Sequence, residues 1–137
     1  MISDAAGVPL VVFVTGANVF DSVGLLPLVD ALPKLRPRRG GRRRRYKPRA
    51  LLGDRAYGTN AAVAGLRARG IRPLLSRRHT PHGSGLGKRR YVIERTLAWF
   101  NFHRRLRLCY ERTGESFQAL HHLAAALICH GKLAGAG

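Results

Sequence analysis

Apolar positions along the chain fall into separated runs, and the period of each run predicts its element. Residues 8–16, VPLVVFVTG, are rich in branched and aromatic side chains, a run long enough for a central strand. Ahead of it, DAAG at 4–7 is a turn signal, and MIS supplies the stub of a hairpin partner. In NVFDSVGLLPLVDALPKL, residues 18–35, an apolar stripe of Val23, Leu25, Leu26, Val29 and Leu32 predicts a helix capped by Asp21 or Ser22, with a kink or restart at Pro27. ALLGD, residues 50–54, reads as a short buried strand. TNAAVAGLRARG, residues 59–70, reads as a helix capped by Thr59 or Asn60 and closed by Gly70, and IRPLLS, residues 71–76, as a further strand. Strand, helix, strand is a βαβ crossover. The longest helical pattern is residues 88–108, where Val92, Ile93, Thr96, Leu97, Phe100 and His103 form one broad stripe at three-and-four spacing. A last helix over roughly 115–132 places ALHHLAAALIC toward the core, with His121 and His122 as partly buried polar positions.

Charge changes the picture. Twenty-five Lys and Arg against seven Asp and Glu give a net charge of +18 and a pI near 11.7, beyond what solubility needs, so a polyanionic partner is expected and nucleic acid is the commonest one. Nine basic side chains crowd residues 36–49, where Gly, Pro and mutual repulsion disfavour regular structure. Arg36, Arg38, Arg39, Arg42, Arg43, Arg44, Arg45 and Lys47 are the candidate phosphate contacts there, with Tyr46 available to stack on a base. A solvated charged loop or a localisation signal has the same composition. RRHTPHGSGLGKRR, residues 77–90, is a second basic loop, contributing Arg77, Arg78, Lys88, Arg89 and Arg90. It lacks the Walker spacing and any zinc-ligand spacing. No apolar run reaches the roughly 20 residues of a membrane span and the start has no basic leader, so a soluble intracellular protein without a membrane partner is expected. Cys109 and Cys129 lack CxxC spacing and are expected as free thiols.

Two acids stand out against this basic background. Asp54 closes an apolar strand at its carboxyl end, where parallel sheets collect ligands. Glu94 lies in the apolar and basic helix, with Arg90 and Asn101 spaced to share its face. Taken alone, a strand-end Asp is as well explained as a turn former, and a helical Glu beside arginines as half of an ion pair.

The segments VTGANVFDS, LLGDRAYG, RGIRPLLSRR, HGSGLGKRRYVIERTLAWF and ALICHGKL, in this order, resemble the DDE-class insertion-sequence transposases, in the broad group of IS-four-like and IS-five-like elements. The resemblance runs over nearly the whole chain. It implies an α/β fold, a ribonuclease-H-like mixed sheet flanked by helices and lacking its first strand. Residues 1–137 would then be a single, truncated catalytic domain, the carboxy-terminal part of a transposase. Three carboxylates of such domains hold two Mg²⁺ or Mn²⁺ ions and cleave and join phosphodiester bonds. Asp54 matches the second Asp and Glu94 the Glu, both catalytic and metal-binding and both expected to face one cleft at the carboxyl end of the central strands. The first Asp has no counterpart, since Asp4 belongs to a turn and Asp21 to a helix start, so the isolated chain is expected to be inactive. Of the family's Tyr, Arg, Glu, Lys signature, Arg90 and Glu94 keep their spacing, while Gly87 stands for the Tyr and Asn101 for the Lys. Tyr91 and Arg104 or Arg105 are the candidates to supply those DNA contacts. The implied partners are DNA, as transposon ends and target, and a full-length transposase or a second copy of the chain. The implied location is the bacterial cytoplasm, at the nucleoid. Two further readings share the composition: a non-catalytic basic nucleic-acid-binding module, and a regulatory remnant that accepts a strand from another chain at its sheet edge.

Overall fold

The computed structural model describes residues 1–16, 18–33, 47–75 and 87–135, with backbone alone for Asp21, Arg55 and residues 87–90. Among these are five α-helices and two small sheets, a mixed α/β architecture. The chain divides into two compact units, Met1–Val19 with Gly87–Gly137, and Phe20–Leu86.

In the first unit, β1 (Ile2–Ser3) and β2 (Pro9–Val11) pair antiparallel with a register shift between Ile2 and Ser3. The turn between them forms because the Asp4 carboxylate accepts the N–H groups of Ala6 and Val8, at 2.9 and 2.8 Å. It docks on α3 (Gly87–Asn101). There the buried Thr96 hydroxyl lies 2.9 Å from the Gly7 carbonyl, and Arg95 donates to the Ala6 carbonyl at 3.0 Å. The 8–16 run does not become the long strand its composition predicts. Beyond Val11 its backbone is taken by side chains of α5 (Gly114–Ala134): Gln118 donates to the Val12 carbonyl at 2.7 Å and accepts the Val14 N–H at 2.6 Å. Amide groups satisfied this way have no need of a ladder partner.

Val12, Phe100 and Ala124 form the core of this unit, flanked by Met1, Leu106, Ala125 and Ile128. The helical pattern at 88–108 is interrupted. α3 ends at Asn101, and the short α4 (Arg104–Arg107) restarts after His103, which stands at its N-cap with no side-chain bond. Leu97, predicted in the buried stripe, is 48% exposed, because the turn at Gly7 seats on Thr96 and leaves the Leu97 side of the helix open. Thr113 caps α5 by accepting the Ser116 N–H at 3.2 Å. His121 is half-buried as expected, stacked on Phe100 and donating to the Phe117 carbonyl at 2.9 Å. His122 is exposed, yet it contacts Gln118 and the Val12 carbonyl. Cys109 and Cys129 are free thiols.

In the second unit, β3 (Ala50–Gly53) and β4 (Arg72–Leu75) are parallel in the register Ala50↔Arg72 to Gly53↔Leu75, joined by α2 (Asn60–Ala68). This is the predicted crossover. Thr59 caps α2 through its hydroxyl, accepting the Ala62 N–H at 3.2 Å. At the other end Gly70, at φ +71°, sends its N–H to Arg67 and the Ile71 N–H returns to Leu66, a Schellman closure. Leu66 and Ile71, the two positions at which such closures favour apolar side chains, are both fully buried. Gly70→Ala has open space for its methyl, so its cost is the left-handed backbone alone, about 1–2 kcal/mol. Gly131→Ala, within α5 and also unobstructed, should stabilise by up to about 1 kcal/mol. Urea unfolding of the pair should therefore show midpoints displaced in opposite directions.

α1 (Asp21–Asp30) packs Leu25, Leu28 and Val29 inward and leaves Val23 65% exposed, so the buried stripe is offset from the predicted one. Phe20 stands at its N-cap with no side-chain bond, and Asp21 is instead its first residue. One helix continues through Pro27 without a restart. The carbonyl this proline leaves unpartnered, on Val23, lies on the exposed side where water can take it. At the end of α1, Asp30 accepts two bonds from Arg69, at 2.7 and 2.6 Å. That hydrogen bonding holds the Asp30 carboxyl below its ordinary 3.8 and raises Arg69. A depressed folded-state value means the contribution is present above 3.8 and lost as pH falls through the lower folded value. Asp30→Asn should accordingly lose less stability than the parent on acidification below 3.8, as read by thermal unfolding across pH.

Candidate active site

Asp54 follows the last residue of β3, and the Gly53↔Leu75 pairing sets it at the edge where the chain also leaves β4 toward residues 76–86. Its Oδ1 accepts the Ala56 N–H at 2.9 Å, and its carbonyl accepts the Tyr57 N–H at 3.3 Å, folding Arg55–Tyr57 into a single 3-10 turn. The residue is half-buried. The turn fixes one carboxylate oxygen and leaves Oδ2 without a partner among the described residues.

The acids of this chain sort by what occupies them. Asp4 is committed to the hairpin turn, Asp30 to Arg69 and Glu111 to Arg105. Asp21 and Glu115 sit in the first turns of α1 and α5, where the helix dipole favours negative charge. Glu94 is different. It is exposed on α3 with no ion pair or hydrogen bond among the described residues, although bases outnumber acids by more than three to one. Its neighbour Arg95 is engaged elsewhere, with the Ala6 carbonyl and the Tyr91 and Trp99 rings.

Asn101 is exposed at the end of α3, seven residues after Glu94 and so on the same helical face. Arg90 lies one turn before Glu94 on the helix backbone. Lys47 is exposed just ahead of β3, close enough to Asp30 to help lower its pKa. Lys88 and Arg89 belong to the first turn of α3. Arg36, Arg38, Arg39, Arg42, Arg43, Arg44, Arg45, Tyr46, Arg77 and Arg78 lie outside the described residues.

A feature missed in the sequence is the cation and ring series Tyr91, Arg95, Trp99, at successive four-residue steps on α3. The Arg95 guanidinium lies 5.7 Å from the Tyr91 ring and 5.2 Å from the Trp99 ring, and Lys132 of α5 lies 4.3 Å from the Trp99 ring. Among the described residues no three His, Cys, Asp or Glu converge as a metal site, and no helix is long and apolar enough to cross a membrane.

A family model described as Transposase DDE domain matches residues 1–129. The chain belongs to this family. The chain is also 46% identical over 129 residues to a curated protein of Burkholderia cepacia named "Putative transposase for insertion sequence element IS402". The match takes in 94% of this chain and 60% of that relative, so the chain spans less than two thirds of the relative's length. No solved structure matches this chain.

Proposed function

We propose that the chain is the carboxy-terminal part of an insertion-sequence transposase catalytic domain, built on a ribonuclease-H-like sheet. It binds transposon-end and target DNA and supplies two of three acids for phosphodiester cleavage and joining. The observation that carries this reading is the family match over residues 1–129, with Asp54 at the end of β3 and Glu94 on α3 both lacking an ion pair among the described residues. Their oxygens suit hard divalent ions such as Mg²⁺ or Mn²⁺, which take carboxylate and water ligands. Asp54 and Glu94 would help hold such ions, whose chemistry when bound would be activation of a water or 3′-hydroxyl and charge stabilisation at the leaving oxygen.

The chain's own residues have separate tasks. The 3-10 turn orients Asp54 by holding Oδ1, so that Oδ2 projects as a ligand from the end of β3. Glu94 contributes its carboxylate from α3, a rigid helix anchored through Thr96 and Phe100. Basic side chains at 36–49 and 77–90, with Asn101, hold the DNA backbone. Asp4 is consumed by its turn and Asp21 opens a helix, so neither is proposed as the third carboxylate.

Iron-mediated cleavage tests the pairing of the two acids. Fe²⁺ with ascorbate and peroxide should cut the backbone near both Asp54 and Glu94, and Mg²⁺ should suppress both cuts together. Cuts near one acid alone would separate them. No localised cutting in an extended protein carrying the third acid would favour a basic nucleic-acid-binding module without chemistry.

A further inference from the structure

Arg95 and Lys132 are two cations gathered on one indole, 5.2 and 4.3 Å from the Trp99 ring, and neither has a carboxylate partner among the described residues. Cations without a carboxylate partner attract an anion from solution. The Arg95 guanidinium is also short of acceptors where it lies. One N–H reaches the Ala6 carbonyl, and its buried Nε has no partner among the described residues. Beside it stands Tyr91, a residue 60% exposed, whose ring lies 5.7 Å from the Arg95 guanidinium. Unpaired cations flanked by open aromatic surface are the combination that binds a phosphodiester together with the base attached to it.

We infer that Tyr91, Arg95, Trp99 and Lys132 form a DNA-strand contact on α3 and α5, with the DNA backbone drawn to Arg95 and Lys132 and an unpaired base against Tyr91. This contact is distinct from the basic segments at 36–49 and 77–90. It rests on the proposed action on DNA and names where an unpaired strand is gripped. Trp99 holds the two cations in place and, as the chain's sole tryptophan, reports on them.

The full chain is titrated with a labelled single-stranded oligothymidylate, a blunt duplex of equal length, and inorganic polyphosphate, while Trp99 emission and the anisotropy of the DNA label are followed. Single strands should quench Trp99 at saturation. Lys132→Gln should lower the salt slope for the single strand by about 0.7, the value of one phosphate contact. Tyr91→Ala should weaken single-strand binding by about fivefold or more, the lower range for one stacked base, and leave the duplex affinity unchanged. Far-UV circular dichroism should show both variants folded, as expected for changes at exposed side chains. Anisotropy showing DNA binding while Trp99 emission and both variants stay at parental values would overturn the contact and leave DNA binding by the basic segments standing. Equal quenching by polyphosphate, unaffected by Tyr91→Ala, would overturn it in favour of a generic anion site. Absence of any DNA binding would overturn both this inference and the DNA part of the proposed function.

Discussion

In a protein extended upstream to carry a third strand-borne Asp, Asp54→Asn and Glu94→Gln are each expected to reduce Mg²⁺-dependent cleavage of DNA bearing the element's ends by about a thousandfold or more. The magnitude follows from removing a ligand of ions that contribute several kcal/mol of charge stabilisation, at tenfold for about each 1.4 kcal/mol. DNA affinity should change little, because neither acid is part of the basic surface. The 137-residue chain alone should cleave negligibly, since two carboxylates neutralise less of the mutual repulsion of two divalent cations and one ion is held weakly. Robust cleavage by these residues would show that another acid completes the site, with Asp21 the first to test.

Neutralising Arg42, Arg43, Arg44 and Arg45 to Gln is expected to flatten the salt dependence of duplex binding by about 0.9 for each phosphate no longer neutralised, or about 3 to 4 in slope if all four arginines touch phosphates. Across a fourfold change in salt, that slope difference is on the order of a hundredfold in affinity. The weakening should be equal for unrelated DNA sequences, because phosphate contacts position a protein without reading bases. Fluorescence anisotropy at several salt concentrations reads it directly. An unchanged slope would place the binding surface elsewhere on the chain.

Local chemistry decides which parts of this architecture are legible in the sequence. The crossover over residues 50–75 is readable because Thr59, Gly70 and the short apolar strands each specify their own geometry within a few residues. The 8–16 run is not. Its composition promises a strand, but the competing partners are Gln118 and His122, more than a hundred positions away. Pro27 and Leu97 mislead for a similar reason. Whether a helix survives a proline, or hides a leucine, depends on which side faces its neighbours. At the candidate site, the acids can be picked out by type and position. That the 3-10 turn occupies one oxygen of Asp54, while Glu94 goes without a partner among the described residues, emerges only with coordinates. The Tyr91, Arg95 and Trp99 series is visible at four-residue spacing, but Lys132, which completes it, comes from a different helix.

The first unit is assembled from the two ends of the chain, with Phe20–Leu86 interposed between them. During synthesis, therefore, the hairpin at β1 and β2 emerges from the ribosome long before Phe100, Ala124 and Gln118, the residues that bury it. The interposed segment contains both strands of its sheet and the helix between them, so it can fold while the remainder is still being translated, as continuous segments generally do. Until α5 is released, residues 1–19 wait with apolar side chains uncovered. A premature stop anywhere before Ala124 would then do more than delete a helix, because it would leave residues 1–19 without the core that buries Val12 and expose them to aggregation and proteolysis.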